Sequence, residues 1–285
     1  IRRPPRSTLD RSSAASDVYK RQEETLTEKV KLATILGTFQ STLTNFRYLN
    51  RKWGENCEEE RLLGVSMTGI MDNALTNGKK KGLEDLLDRL REVAIQTNKY
   101  WAKQFGIPQS AAITCVKPSG TVSQLVDSAS GIHARHNPYY IRTVRADKKD
   151  PLAKMMFDAG FPCEDDVTKP EHTWVFSFPV KGPKNGVYRK DMNAVEQLNL
   201  WKIYQDHWCE HKPSITVSVK EDEWMDVGAW VYENFNQMSG VSFLPFADHS
   251  YRQAPYQDCS VLQLSLIHIS EPTRPRLISY AVFCL

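Results

Sequence analysis

The chain has 285 residues, 41% hydrophobic and 25% charged, with 37 Lys and Arg against 34 Asp and Glu for a formal charge of +3. No apolar run approaches the ~18 residues of a membrane-spanning helix, so no membrane partner is expected. The six cysteines are far apart and none form Cys-x-x-Cys, a pattern against a zinc ribbon and for a reducing, cytoplasmic compartment.

The two ends are related at the level of DNA. Asp17 to Gln22 can be encoded as GAT GTG TAT AAG AGA CAG, whose reverse complement translates as Leu-Ser-Leu-Ile-His-Ile, the run at Leu264 to Ile269. An inverted repeat flanking an insert explains this, and it looks like the transposon end used to build sequencing libraries. The outer runs, including Ile1 to Thr8 and Ile278 to Leu285, resemble the matching adapters. Residues 1–22 and 264–285 are therefore expected to be adapter-derived tails with no stable fold, set aside before fold reasoning. Residues 23–263 are expected to be genuine protein without a dividing linker. Removing six basic and two acidic residues from the first tail, and two basic and one acidic from the second, leaves 29 basic against 31 acidic, or −2. The basic start then signals neither a targeting peptide nor a nucleic-acid-binding arm.

In chain order, Glu24 to Phe46 places Val30, Leu32, Ala33, Leu36, Phe39 and Leu43 near helical spacing and predicts a long, buried helix. Arg61 to Ile70 is apolar with two glycines, which suggests a strand with an irregular end. Gly82 to Phe105 reads as a strongly amphipathic helix stopped at Gly106. A strand at Ile113 to Val116 runs into Lys117-Pro-Ser-Gly-Thr121 and a following apolar-periodic segment. Further strands are expected at Tyr139 to Arg145, Thr173 to Phe178, Ser214 to Val219 and Val241 to Phe246. Helices are expected at Asp150 to Phe157, with an Asp cap and Pro at its first position, at Ala194 to Cys209 and at Asp222 to Asn236. The alternation predicts an α/β fold with mainly parallel strand pairing.

The stretch from Ala111 to Val126 organises this pattern. A helix entered through Ser119, Gly120 and Thr121 offers backbone N–H groups, hydroxyls and a positive dipole end, a setting suited to a phosphate. Lys117 can add a full charge. The same residues also make an ordinary helix cap, and both readings stand on the residues alone.

Seven segments then occur in order: Arg61 to Ile70, Lys117 to Ser123, Ser130 to His133, Tyr140 to Arg145, Pro213 to Val217, Ser239 to Pro245 and Gln253 to Tyr256. Together they resemble the adenosylcobalamin-dependent (class II) ribonucleotide reductases, especially the monomeric ribonucleoside-triphosphate reductases, over nearly all of Glu23 to Cys259. The resemblance implies the incomplete C-terminal portion of a ten-stranded α/β barrel. It implies an oxidoreductase that converts ribonucleoside tri- or diphosphates to deoxyribonucleotides by thiyl-radical chemistry. In the full-length parent it implies adenosylcobalamin as cofactor and a dithiol reductant such as thioredoxin. It also implies that Lys117, Pro118, Ser119, Gly120, Thr121 and Ser123 hold the substrate phosphates. The family's thiyl cysteine, its glutamate and the first reducing cysteine have no counterpart here, so no catalytic residue is assigned and the chain alone is expected to be inactive. A non-catalytic nucleotide-phosphate binding module, or a piece of an iron-dependent reductase, is the alternative.

The remaining chemistry-bearing residues read as structural. His133 is expected to fix its loop. His207 and His211 have helical metal-ligand spacing without an evident third ligand. Cys57 lies in an acidic surface run, Cys115 reads as a small core residue, and Cys163, Cys209 and Cys259 are likewise structural or incidental. Trp174, Trp201, Trp208, Trp224 and Trp230 are core or half-buried surface.

Overall fold

The computed structural model describes residues 19–120, 122–246 and 252–260. The tails expected at 1–22 and 264–285 fall outside these residues except at one point. Helix α1, Tyr19–Gln40, begins four residues inside the first tail, and Gln22 is buried. Helix propagation adds one hydrogen bond per residue, and the Lys-Arg-Gln run contains no breaker, so the helix continues into it.

Two compact units form. Among the described residues, one comprises those up to Ala134 together with Met192–Pro245, the other Arg135–Asp191 with those from Phe246 onward. No Pro-, Gly- or Ser-rich linker marks any of the three crossings.

In the first unit, α1 packs on α3, Leu83–Phe105, whose buried face is Leu83, Leu86, Leu87, Leu90, Ala94, Asn98 and Ala102. Gly106 ends α3 at positive φ, as the sequence indicates, and Gly82, expected as the first helical residue, instead precedes the helix at positive φ. The buried stripe of α1 differs from the expected one. Val30, Thr34 and Thr38 face inward, whereas Leu32, Leu36, Phe39 and Leu43 are each more than half exposed. Thr34 and Thr38 are satisfied by donating to carbonyls one turn earlier, and Asn98 Nδ2 donates to Thr38 Oγ1 at 3.0 Å. Periodicity identifies an apolar face but not the neighbour that covers it. The Cys57 region forms α2, Arg51–Glu60, with no buried residue.

Strands β1, Val65–Ser66, and β2, Thr114–Cys115, pair in parallel. So do β6, Thr216–Val219, and β7, Ser242–Pro245. Helix α6, Ala194–His207, opens with an Asn193–Glu196 capping box and buries Leu198, Trp201 and Tyr204 completely. Just past it, Trp208 Nε1 donates to the Cys115 carbonyl at 2.8 Å and Thr114 Oγ1 to the Trp208 carbonyl, which joins the end of α6 to β2. The short α4, Val122–Leu125, and α7, Trp224–Asn234, complete the unit.

The second unit departs from the expected parallel pairing. Its sheet has the order β4, Cys163–Asp165, then β5, Thr173–Lys181, then β3, Tyr139–Asp147, then β8, Tyr256–Asp258, and every pair is antiparallel. Helix length gives the reason. Helix α5, Pro151–Asp158, rises only ~12 Å, whereas a nine-residue strand runs ~30 Å, so α5 cannot carry the chain back along the sheet. Asp150 caps α5 through Leu152 N at 2.7 Å. Its inner face joins Ala153, Met156 and Phe176 in a small core. Asp166 closes the sheet edge by accepting from Arg145 Nε at 2.6 Å, Thr168 N, Thr168 Oγ1 and Lys169 N.

Among the described residues the strands make two parallel pairs and one antiparallel sheet and do not close a barrel.

Candidate phosphate-binding site

The strand-turn-helix expected at Val116 forms: β2 ends at Cys115 and α4 starts at Val122. Lys117, Pro118 and Gly120 are exposed between them, and a Cβ placed on Gly120 would meet nothing within 4 Å. Thr121 lies outside the described residues.

The two serines are committed to holding the turn. Ser123 is fully buried, its backbone N–H donates to Ser119 Oγ at 3.0 Å, and its hydroxyl donates to Ser119 O at 2.6 Å. Ser119 N donates to Ser130 Oγ at 2.8 Å. The exposed part of the turn thus narrows to Lys117, Pro118, Gly120 and the entry to α4 at Val122, where helix geometry leaves N–H groups without intrahelical partners. Lys117 Nζ donates to Lys212 O at 2.7 Å and Ser214 Oγ at 3.0 Å. An ammonium has three N–H donors, so this tether leaves one, and the charge stays beside the turn.

Three other segments hold the turn in place. Ser130 Oγ also donates to Ser119 O at 3.0 Å, which clasps both polar groups of one peptide residue. Ala129 O accepts from Gly69 N at 2.7 Å and Thr68 Oγ1 at 2.9 Å, Gly131 N donates to Thr68 Oγ1, and Ala129 N donates to Asp72 Oδ2. Gly131 has φ +55, and a Cβ there would sit 2.8 Å from Lys117 O, so only glycine permits this approach. His133 accepts at Nε2 from Thr216 N at 3.0 Å, so the ring proton is on Nδ1, which donates to Ser130 O at 3.1 Å. Burial lowers the His133 pKa, which favours this neutral tautomer. The loop-fixing role expected of His133 is what the geometry provides. Sequence reasoning gives Ser130, Thr68 and Asp72 no role; the one available signal, for Ser130 and Thr68, is that their segments occur in order with the turn, and Asp72 lies outside them.

The other candidates are occupied elsewhere. His207 Nδ1 is 3.0 Å from Asp88 Oδ2, and His211 Nε2 donates to Leu63 O at 2.7 Å. Glu210 accepts from Ile113 N. No group of three His, Cys, Asp or Glu that could hold a metal ion occurs among the described residues. The five described cysteines are free thiols. Burial raises the pKa of Cys115, against smaller opposing effects of Ser66 and Lys117, and pushes Cys209 up to about 12. Neither is a nucleophile near neutrality. Two open grooves, of about 400 and 490 Å³, run along α1, the first between Ile35 and Trp101 and the second beside Glu23 to Lys31. Neither is lined by the turn.

No family model matches the chain. A crystal structure of a B12-dependent class II ribonucleotide reductase superposes on it with a TM-score of 0.76 at 23% identity, over 90% of this chain and 39% of that one. The fold is that of a class II ribonucleotide reductase.

Sequence relatives agree with the reductase fold. The chain is 29% identical over 213 residues to the adenosylcobalamin-dependent ribonucleoside-triphosphate reductase of Euglena gracilis, 72% of this chain and 29% of that protein. It is 26% identical over 230 residues to the Lactobacillus gasseri enzyme of the same name, 71% of this chain and 31% of that protein. A probable enzyme of this name from Dictyostelium discoideum is 29% identical over 204 residues. The chain therefore spans about three tenths of the length of the curated relatives it matches. No helix among the described residues is long and apolar enough to cross a membrane.

Proposed function

We propose that this chain is the substrate-phosphate-holding part of an adenosylcobalamin-dependent ribonucleoside-triphosphate reductase, acting in the cytoplasm. The observation that carries the reading is convergence. Segments around Thr68, Lys117 to Ser123, Ser130 to His133 and Thr216, far apart in sequence, are hydrogen-bonded around one exposed turn. In this reading the N–H groups at Gly120 and Val122 donate to phosphate oxygens and Lys117 neutralises their charge. Pro118 fixes the backbone entering the turn, and Thr121 adds a hydroxyl. Ser119 and Ser123 set the shape.

None of the described residues is assigned to holding adenosylcobalamin. No step is routed through the cofactor here. Its binding and the thiyl cysteine are assigned to parts of a longer polypeptide that this chain does not span, and the reductant to a separate dithiol protein such as thioredoxin.

The test is calorimetric titration of the purified chain with a ribonucleoside triphosphate. Binding that weakens with added salt is expected, and inorganic tripolyphosphate should compete. Absence of binding at ~1 mM ligand, a floor of about 4 kcal/mol, would sink the reading. A non-catalytic phosphate-binding module shares this expectation. Restoring the missing length and assaying for deoxyribonucleotides separates the two.

A further inference from the structure

We infer that Ser130 and His133 are positioning residues that pre-organise the phosphate-holding turn. The inference rests on the phosphate reading above and assigns its rigidity to two named side chains.

The Ser130 hydroxyl holds Ser119 at two points, accepting from its N–H at 2.8 Å and donating to its carbonyl at 3.0 Å. A hydroxyl is one donor and an acceptor, and here both functions serve one residue of the turn. With Ser119 N–H drawn to Ser130 and Ser119 O engaged by both hydroxyls, the peptide plane cannot rotate. The direction of the following N–H, that of Gly120, is set by that plane.

Ser130 is itself held by His133. The Ser130 carbonyl accepts from His133 N at 3.0 Å and His133 Nδ1 at 3.1 Å, while His133 Nε2 accepts from Thr216 N at the start of β6. The imidazole thus spans from the loop to a strand, and its two nitrogens have opposite duties that only one tautomer satisfies. The chain of bonds runs from Thr216 through His133 and Ser130 to Ser119. Neither Ser130 nor His133 needs to touch the ligand. Their effect is to spare the turn the ordering cost that binding would otherwise carry.

The experiment compares tripolyphosphate and ATP binding by the purified chain with Ser130→Ala, Ser130→Thr, His133→Ala and His133→Gln. Ser130→Ala and His133→Ala are expected to weaken both ligands by roughly 5- to 100-fold, the loss of two ordinary hydrogen bonds. Ser130→Thr keeps the hydroxyl and His133→Gln keeps an acceptor for Thr216 N, so each should recover most of that loss. Long-range nitrogen–proton NMR spectra should show the Nδ1–H tautomer in the unsubstituted chain. Equal binding by Ser130→Ala and the unsubstituted chain overturns the inference and leaves the phosphate reading standing. Loss in Ser130→Ala and Ser130→Thr alike, with unchanged melting temperatures, overturns it too, because a hydroxyl clasp must be rescued by a hydroxyl. If the unsubstituted chain binds neither ligand, both readings fall.

Discussion

Trp208 Nε1 donates to the Cys115 carbonyl at 2.8 Å, and both residues are buried. This bond joins the end of α6 to the strand that leads into the turn at Lys117 to Gly120. Trp208→Phe removes the donor, keeps most of the apolar volume and leaves the Cys115 carbonyl short of a partner. A loss of about 1–3 kcal/mol in denaturant unfolding is expected. A variant as stable as the unsubstituted chain would show that the carbonyl finds another donor.

Gly120 and Gly131 should respond in opposite ways. Gly120 has free space where a Cβ would go, so Gly120→Val is expected to leave the melting temperature nearly unchanged. It should nevertheless lower triphosphate affinity by roughly two to four powers of ten, by blocking two charge-assisted hydrogen bonds. Gly131→Ala places a methyl 2.8 Å from Lys117 O at positive φ, and about 1–3 kcal/mol of stability should go. Calorimetry and thermal melts on the two variants check the contrast.

His133 supplies a pH dependence. Burial holds its folded pKa below the ordinary value of 6.5, so the folded state binds its proton less readily than the unfolded chain. Its contribution to stability is fully present above the unfolded pKa and is lost as pH falls through the lower folded value. Protonation also sets a ring N–H against Thr216 N–H. Melting temperatures should therefore drop on acidification below about pH 6.5, and His133→Gln should flatten that limb. An unchanged acid limb in the variant would assign it to another group. Asp166 acts in a separate range: hydrogen bonds from Thr168, with smaller help from Arg145 and Lys169, hold its pKa far below the carboxylate range. Its contribution is present above the ordinary carboxylate pKa and fades only under strong acid.

The chain alone is expected to form no deoxyribonucleotide when supplied with adenosylcobalamin, a ribonucleoside triphosphate and a dithiol. Burial holds Cys115 protonated in the core and pushes the Cys209 pKa up to about 12, and Cys57 stands on a helix with no buried residue. Product detected by chromatography would redirect attention to Cys57.

The legible parts of this fold are those set by local chemistry. The glycine that stops α3, the Asp150–Pro151 start of α5 and the strand-turn-helix around Gly120 all follow from residues within a few positions of one another. What stayed hidden depends on partners distant in sequence. Nothing near Thr34 and Thr38 indicates that they, rather than Leu32 and Leu36, turn toward Asn98. The antiparallel sheet does not follow from the alternation of strand and helix, although the expected helix at Asp150 to Phe157 is already too short to return the chain along a nine-residue strand. At the site, Lys117 and Gly120 were legible from type and order. The clasp by Ser130 was not, because it needs the loop and the turn to be neighbours in space.

The buried thiol of Cys115 gives this chain a clock. Alkylating reagents attack thiolates, and a buried thiol whose pKa burial raises offers few while the protein is closed. Cys115 lies on β2, against the end of α6. It can therefore be labelled quickly only in molecules that have parted α6 from β2. Where reclosing outpaces labelling, the labelling rate divided by that of a free thiol gives the open fraction directly. The half-exposed Cys57 reacts in the same sample as an internal reference. The parting of the helix from the strand that leads into the turn can thus be timed in the native chain without introducing a probe.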